Sequence, residues 1–319
     1  FFYYLSLLFV FSIIYLIKKH DVGNDSTISE WIINYSGGFT KRGIIGEICI
    51  LIANTFNLNL RDSILIFQIM IIAIYFVLLF ILIKDIKTNR ILIFSIFSPI
   101  FILYPVAEIE VLARKEVFIF CIFILYLLIN NFFLRDLYKI IILSLAVLIW
   151  EPVIFYFIFF LAVDVIDNKW ERINKKFFFN LVFYVPALLI GGYIAFNPIT
   201  SENHAILENF LTENFRESCY MSCGMLLSKA SLYAQFESNF DKYSFVVFFR
   251  YFFIILFGFG ALIILSKNSN LTFNNTFFFK HFPNLFLPIS IMLLPIIILF
   301  AMGFDWGRWV NISYVFSIT

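Results

Sequence analysis

Residues 63–90 read S-I-L-I-F-Q-I-M-I-I-A-I-Y-F-V-L-L-F-I-L-I-K-D-I-K-T-N-R. The stretch 63–83 carries no charge. A helix rises about 1.5 Å per residue, so this stretch is long enough to cross a hydrocarbon layer of about 30 Å. The next seven residues hold Lys84, Lys87 and Arg90. Basic residues in short loops stay on the cytoplasmic face. One stretch therefore supplies both a membrane span and its orientation.

The rest of the 319-residue chain fits that reading. It is 62% hydrophobic and only 14% charged, against about 25% charged in a soluble domain. Further spans are expected at 1–17, 91–107, 117–134, 177–198, 244–266 and 283–304, and another begins near Trp309. Residues 1–17 lack the basic start and small-residue cleavage site of a signal peptide, so they read as a helix. The chain starts at Phe1 and ends inside an apolar run, so it reads as a fragment. A net charge of +2 is too small to imply a nucleic-acid partner.

Two regions do not fit as simple spans. Residues 43–60 are short, carry Glu47 and end in asparagines, which suits an interfacial helix. Residues 138–164 are broken at Trp150-Glu151-Pro152. Proline removes a helix hydrogen bond, so this segment reads as two half-helices meeting at Glu151. Basic loops at 84–90, 132–139 and 167–176, with Lys267 and Lys280, all lie in the cytoplasm if the broken segment enters and leaves on one side and 43–60 does not cross.

The expected fold class is thus all-α: a polytopic transmembrane helix bundle of about eight to ten membrane segments. It carries an interfacial helix after the first span, a broken or re-entrant helix pair and a small external loop domain. Residues 1–319 form one transmembrane domain, with 18–62 an external loop containing the interfacial helix and 197–243 an external polar cap. The expected location is a bacterial inner (plasma) membrane.

The polar clusters then fall on, or point toward, the outer side. S-G-G-F-T-K-R-G-I-I-G-E at 36–47 places Gly38, Lys41 and Arg42 together, with Gly43 able to open a helix. Such a segment suits phosphate, and the bland alternative is a glycine turn with snorkelling cations. E-I-E-V-L-A-R-K-E at 108–116 contains Glu108, Glu110, Arg114 and Lys115. Glu110 and Arg114 could form a local i,i+4 pair. Glu151 is a carboxylate inside an apolar hairpin, which marks function by default; its expected partner is Arg114 or Arg308. In F-D-W-G-R-W at 304–309, Arg308 would fork onto phosphate while Asp305 holds it. Trp306 and Trp309 would fix the turn's depth as part of an interfacial aromatic belt.

Cys49 and Cys121 read as buried packing. Cys219 and Cys223 share the polar loop C-Y-M-S-C; a disulfide and two free thiols both remain open. Metal is disfavoured there because only His204 lies nearby, so no metal site is assigned. His20, His204 and His281 show no ligand spacing, and the sequons at Asn270, Asn274 and Asn311 fall at cytoplasmic or membrane positions.

Acids together with Arg and Lys at bilayer depth suit an amphiphilic phosphate substrate. The acids of the first loop, the helix at 43–60, the short broken helices and the external loop at 197–243 resemble integral-membrane GT-C glycosyltransferases. That resemblance implies a polyprenyl-phosphate sugar donor, a glycan or lipid acceptor, and Asp21, Asp25 or Glu30 as the base; Glu151 is a further catalytic candidate on its own position. G-G-F-T-K-R-G, A-R-K-E and D-W-G-R-W also resemble segments of bacterial multi-pass proteins linked to surface polysaccharides, including polymerase-like ones. A membrane glycosyltransferase is therefore the leading expectation, with a lipid-linked polysaccharide polymerase or ligase, or a transporter, as alternatives. No cofactor is demanded, although a divalent cation between acids and phosphate is compatible with the residues.

Overall fold

The computed structural model describes residues 1–87, 89–168, 175–228, 232–240, 242–269, 282 and 284–319. Lys169, Arg172, Asn270, Asn274, Lys280 and His281 lie outside the described residues. The described chain is all-helical. Four helices are long and apolar enough to cross a membrane, and a bent pair supplies a fifth candidate.

The chain begins with α1 (Phe2–Val22), the one-turn α2 (Ser26–Ser29), α3 (Gly43–Phe56) and α4 (Leu60–Ile83). The 14 residues of α3 extend only about 21 Å, short of a span. Its close seat on the preceding loop requires Gly46, whose added Cβ would lie 1.9 Å from the Ile33 carbonyl oxygen. Helix α4 buries Ile64, Gln68, Ile72, Tyr75 and Leu79, a stripe spaced by three or four residues. Gln68 tolerates burial because its partners are all met. Its Nε2 donates to the carbonyls of Thr27 (2.8 Å) and Ala113 (3.0 Å), and its Oε1 lies 2.7 Å from His20 Nε2.

Several expected spans turn out to be interrupted. The segment Arg90–Ala107 comprises α5 (Arg90–Ile96), a π-helical turn at Pro99–Leu103 and α6 (Tyr104–Ala107). After α7 (Ile109–Leu112), α8 covers only Glu116–Leu128. The expected span 117–134 is cut short because Asn131 caps the next helix, its side chain accepting from the amides of Phe133 and Leu134. That helix, α9, runs over Phe132–Ile149. Its 18 residues are about 27 Å long, so it is no half-helix. A 3-10 stretch at Glu151–Tyr156 then leads into α10 (Phe157–Asp167). The broken segment turns back on itself, with Lys139 of α9 paired to Asp164 of α10, and α9 is its longer arm.

The expected span 177–198 consists of α11 (Lys175–Val182) and α12 (Val185–Phe196), bent by 45° at the break. Pro186 sits in the first turn of α12, where its missing N–H costs nothing. The polar segment folds as α13 (Ser201–Phe215), α14 (Met221–Ser228) and α15 (Leu232–Phe240). It is tied down by a fork from Arg61 to Glu217 and by the Ser222 amide donating to Ser29 Oγ. Helix α16 (Phe245–Lys267) is continuous and long and apolar enough to cross a membrane. The expected span 283–304 breaks around Pro295 into α17 (Phe286–Met292) and α18 (Ile297–Met302), and α19 (Trp306–Ile318) ends the chain.

Helices α1, α3 and α8 pack around α4, while α12 packs on α9 and α16 on α5. Arg135 and Lys139, expected in an open loop, lie in the first turns of α9 and are buried. Lys139 Nζ meets Asp164 at 3.0 Å and Asp136 at 2.8 Å, and Tyr126 and Tyr184 donate to the same Asp164 carboxylate. A cation buried this deeply needs such partners.

Candidate functional site

At the other end of α9, four distant stretches bring ionised side chains together. The first is the loop before α3. Arg42 adopts the left-handed backbone region, with φ 65°, an unusual conformation for a non-glycine residue. Its Nε and Nη2 donate to the two Glu151 oxygens at 2.8 and 2.9 Å, and its Nη1 donates to Glu30 at 3.0 Å. Glu30 is 1% exposed, so a single guanidinium neutralises two carboxylates from different parts of the chain. Lys41 Nζ lies 3.9 Å from Glu151.

The second stretch is the start of α8. Lys115 is fully buried and donates to the Arg42 carbonyl. Arg114 lies 3.1 Å from Asp305 and donates to Ser26 Oγ. The third is the hairpin tip, where Glu151 follows the end of α9. The fourth is the turn before α19: Arg308 lies 3.2 Å from Glu116 and 3.2 Å from Asp305. Asp305 therefore bridges Arg114 and Arg308.

Charge balance holds this cluster together. Lys41, Arg42, Arg114, Lys115 and Arg308 face Glu30, Glu116, Glu151 and Asp305. That is five cations against four carboxylates. Burial pushes the Glu151 carboxyl up, but Arg42 and Lys41 outweigh it and hold it down at about 2. Burial lowers the Arg42 value, and the Glu151 and Glu30 charges more than reverse this. Lys115 goes the other way: burial brings its ammonium down to about 8. Burial raises the Asp305 carboxyl despite Arg114. Glu151 is thus a structural anion, while Asp305 is less firmly ionised.

The sequence-derived candidates divide accordingly. Glu30, Lys41, Arg42, Arg114, Lys115, Glu151, Asp305 and Arg308 share the cluster. Asp25 and Glu110 meet beside it on Lys19, at 2.6 and 2.7 Å. Glu110 therefore pairs with Lys19 rather than with Arg114, and Glu151 pairs with Arg42 and Lys41 rather than with Arg114 or Arg308. Asp25 also caps α2 by accepting from the Thr27 amide at 2.8 Å; burial raises its carboxyl, and Lys19 and Thr27 bring it down to about 2. Glu108 is exposed at the end of α6. Asp21 is exposed near the end of α1, away from these contacts. Gly38, with φ 99°, lies against the Asn203 side chain.

The two tryptophans of the turn pack inside the protein. Trp306 and Trp309 are 7% and 5% exposed. Trp306 Nε1 donates to Phe300 O at 2.7 Å, and Trp309 Nε1 to Gly303 O at 3.1 Å. The Arg308 guanidinium lies 4.3 Å from the Trp309 ring centroid, and Arg308 itself is 5% exposed. The Trp309 ring packs against Arg308 as a cation–π partner.

Glu116 is the member that sequence reasoning passed over. It is buried, and neither of its oxygens accepts a hydrogen bond; its one contact here is the ion pair with Arg308. The signal was position: an acid at the first turn of an apolar helix, directly after Arg114 and Lys115. Cys219 and Cys223 form a disulfide, and His204 Nε2 lies 3.4 Å from Cys219 Sγ. Cys49 and Cys121 are buried free thiols. Among the described residues, His204, Cys219 and Cys223 form the one group of three able to converge on a metal ion, and the disulfide occupies both sulfurs.

No known protein family, curated protein or solved structure matches the chain.

Proposed function

We propose that the chain is a membrane-embedded glycosyltransferase that uses a lipid-phosphate-linked sugar donor. Its site is the ionic cluster, on the extracytoplasmic side, and it acts in cell-surface polysaccharide or glycolipid synthesis. One observation carries the reading: Glu30 and Arg42, Arg114 to Glu116, Glu151, and Asp305 with Arg308 converge as buried and half-buried charge in a largely apolar helical protein. Charge at membrane depth is costly and is kept where it is used.

The members have different parts in this proposal. Arg42, Glu30 and Glu151 form a closed ion triplet that fixes the hairpin tip against α3. Arg114 and Arg308 are the phosphate contacts, kept apart and oriented by Asp305. Two guanidinium forks match two phosphate oxygens geometrically. Glu116 is the base. When Arg308 turns to the donor phosphate, Glu116 takes the proton of the acceptor hydroxyl. That oxygen attacks the anomeric carbon, the bond from this carbon to the phosphate oxygen breaks, and the departing lipid phosphate carries its charge onto Arg114 and Arg308. The lipid tail stays in the bilayer, which suits a site at the end of a helix bundle.

The test is donor turnover by folded variants. Arg308→Lys keeps the charge but loses the fork, and Glu116→Gln keeps the shape but loses the base. Both are expected to abolish glycan assembly in cells while the protein still inserts and folds. Normal glycan from both folded variants would remove the proposal.

A further inference from the structure

A second polar site lies at the end of α1, joined to the ionic cluster through Gln68, and nothing in the proposed transfer step uses it. A cavity of about 390 Å³ opens between the end of α1, the start of α4 and the end of α13. This is within the range of about 300–1,000 Å³ typical of small-molecule sites. Its walls include His20, Asp21, Asn59, Asp62, Phe215 and Arg216.

Most structural needs around the cavity are already met by Arg61. Its Nε and Nη2 fork onto Glu217 at 2.6 and 3.1 Å, and its Nη1 donates to Gly23 O at 3.1 Å. The groups left for a ligand are different. Asp21 and Arg216 are exposed and make no ion pair among the described residues. Asp62 has one long contact, from Asn59 Nδ2 at 3.3 Å. His20 is 6% exposed and its Nε2 is engaged by Gln68, so it builds the wall and is not a group that a ligand reaches.

These groups select a ligand class. Two carboxylates against one guanidinium disfavour an anion. A metal is also disfavoured, because the one metal-competent trio among the described residues is elsewhere. A neutral polyol fits: each hydroxyl donates once and accepts twice, so it can bridge Asp21 or Asp62 to Arg216 or Asn59. Phe215 supplies an apolar face for the C–H side of a sugar ring. We infer that this cavity is a carbohydrate subsite that holds the hydrophilic glycan of the acceptor or donor while its reacting end lies at the ionic cluster. A physical link supports this, because Gln68 bonds both His20 in the cavity wall and the carbonyl of Ala113, next to Arg114. The assignment to acceptor or donor glycan rests on the transferase reading, whereas sugar binding by the cavity does not.

The full chain in lipid nanodiscs is titrated with delipidated oligosaccharide released from the source cell's own surface glycan. Saturable binding is expected. Asp62→Asn and Asp21→Asn, each removing one charged hydrogen bond, should weaken it by about tenfold or more. Inorganic phosphate should not compete. No saturable binding to the wild type, unchanged affinity in both folded variants, or competition by phosphate would each overturn the inference. Consumption of lipid-linked donor is read separately in the same nanodiscs. Sugar binding that depends on Asp62 and Asp21 without donor consumption would count against the transferase and leave the subsite standing. Donor consumption unaffected by folded Asp62→Asn and Asp21→Asn, together with unchanged binding, would do the reverse.

Discussion

Arg42 and Glu151 stand 109 positions apart and meet through two hydrogen bonds, at 2.8 and 2.9 Å. This fork ties the loop before α3 to the tip of the α9 hairpin, and the same guanidinium holds Glu30. The two side chains are only 17% and 21% exposed. Removing one partner of such a pair leaves a charge with no counterion, which costs about 3–5 kcal/mol, whereas replacing both with apolar residues is often neutral or better. Arg42→Met should therefore unfold earlier than the wild type in detergent. The triple replacement Arg42→Met, Glu151→Met, Glu30→Gln should recover most of the loss. Equal melting of wild type and Arg42→Met would show that the triplet is not holding the fold.

Gly46 is fixed by geometry. A Cβ there would sit 1.9 Å from the Ile33 carbonyl oxygen, which is backbone and cannot swing away. Gly46→Ala should cost about 1–3 kcal/mol by overpacking. It should also disturb the bond from the Tyr35 amide to Glu47, now 2.6 Å. A melting curve and protease sensitivity of the 31–47 loop check this. Gly192, with open space around its Cβ position, is the matched control.

Glu151 and Asp25 give the site a defined response to acid. Both carboxyls lie near 2, below their ordinary values of 4.5 and 3.8. Folding therefore favours their ionised forms. The stability they contribute is fully present above those ordinary values and is lost as pH falls through the folded values near 2. Melting of Glu151→Gln should differ from wild type at pH 6, and the difference should shrink between about pH 4.5 and 2. A difference that persists unchanged at pH 2 would mean that Glu151 is not held as an anion.

The Cys219–Cys223 bond predicts that these two thiols resist a maleimide until a reductant is added. The buried Cys49 and Cys121 should react only after denaturation. Peptide mass spectrometry of labelled protein reads both outcomes. Immediate labelling of Cys219 in native, unreduced protein would contradict the bond.

The helical character of this architecture is legible in the sequence, because apolar length is a strong one-dimensional signal. The run 63–83, which lies within the helix Leu60–Ile83, needed no tertiary information. Interrupted helices are harder. Asn131, Pro186 and Pro295 break apolar runs that composition alone reads as continuous, and hydropathy is blind to capping and to a missing N–H. Pairing was the least legible part. In E-I-E-V-L-A-R-K-E, spacing favours Glu110 with Arg114, yet Glu110 reaches Lys19 and Arg114 reaches Asp305. Which acid turns inward depends on neighbouring helices, so Glu116 passed unnoticed. The burial of Trp306 and Trp309 was hidden for the same reason: an exposed ring and one packed inside the protein share one composition.

The Arg308 contacts with Glu116 and Asp305 carry the proposed chemistry, and a turnover assay reaches them most directly. The full chain is reconstituted in nanodiscs with lipid-phosphate-linked sugars extracted from the source cell, and release of free lipid phosphate is followed. Wild type should release it. Arg308→Lys should fall by a factor on the order of 10²–10³, as when one charge-stabilising contact is lost, with Glu116→Gln at least as impaired and both variants melting like the wild type. Undiminished release by both folded variants, or no release by the wild type with any such donor, would contradict the account.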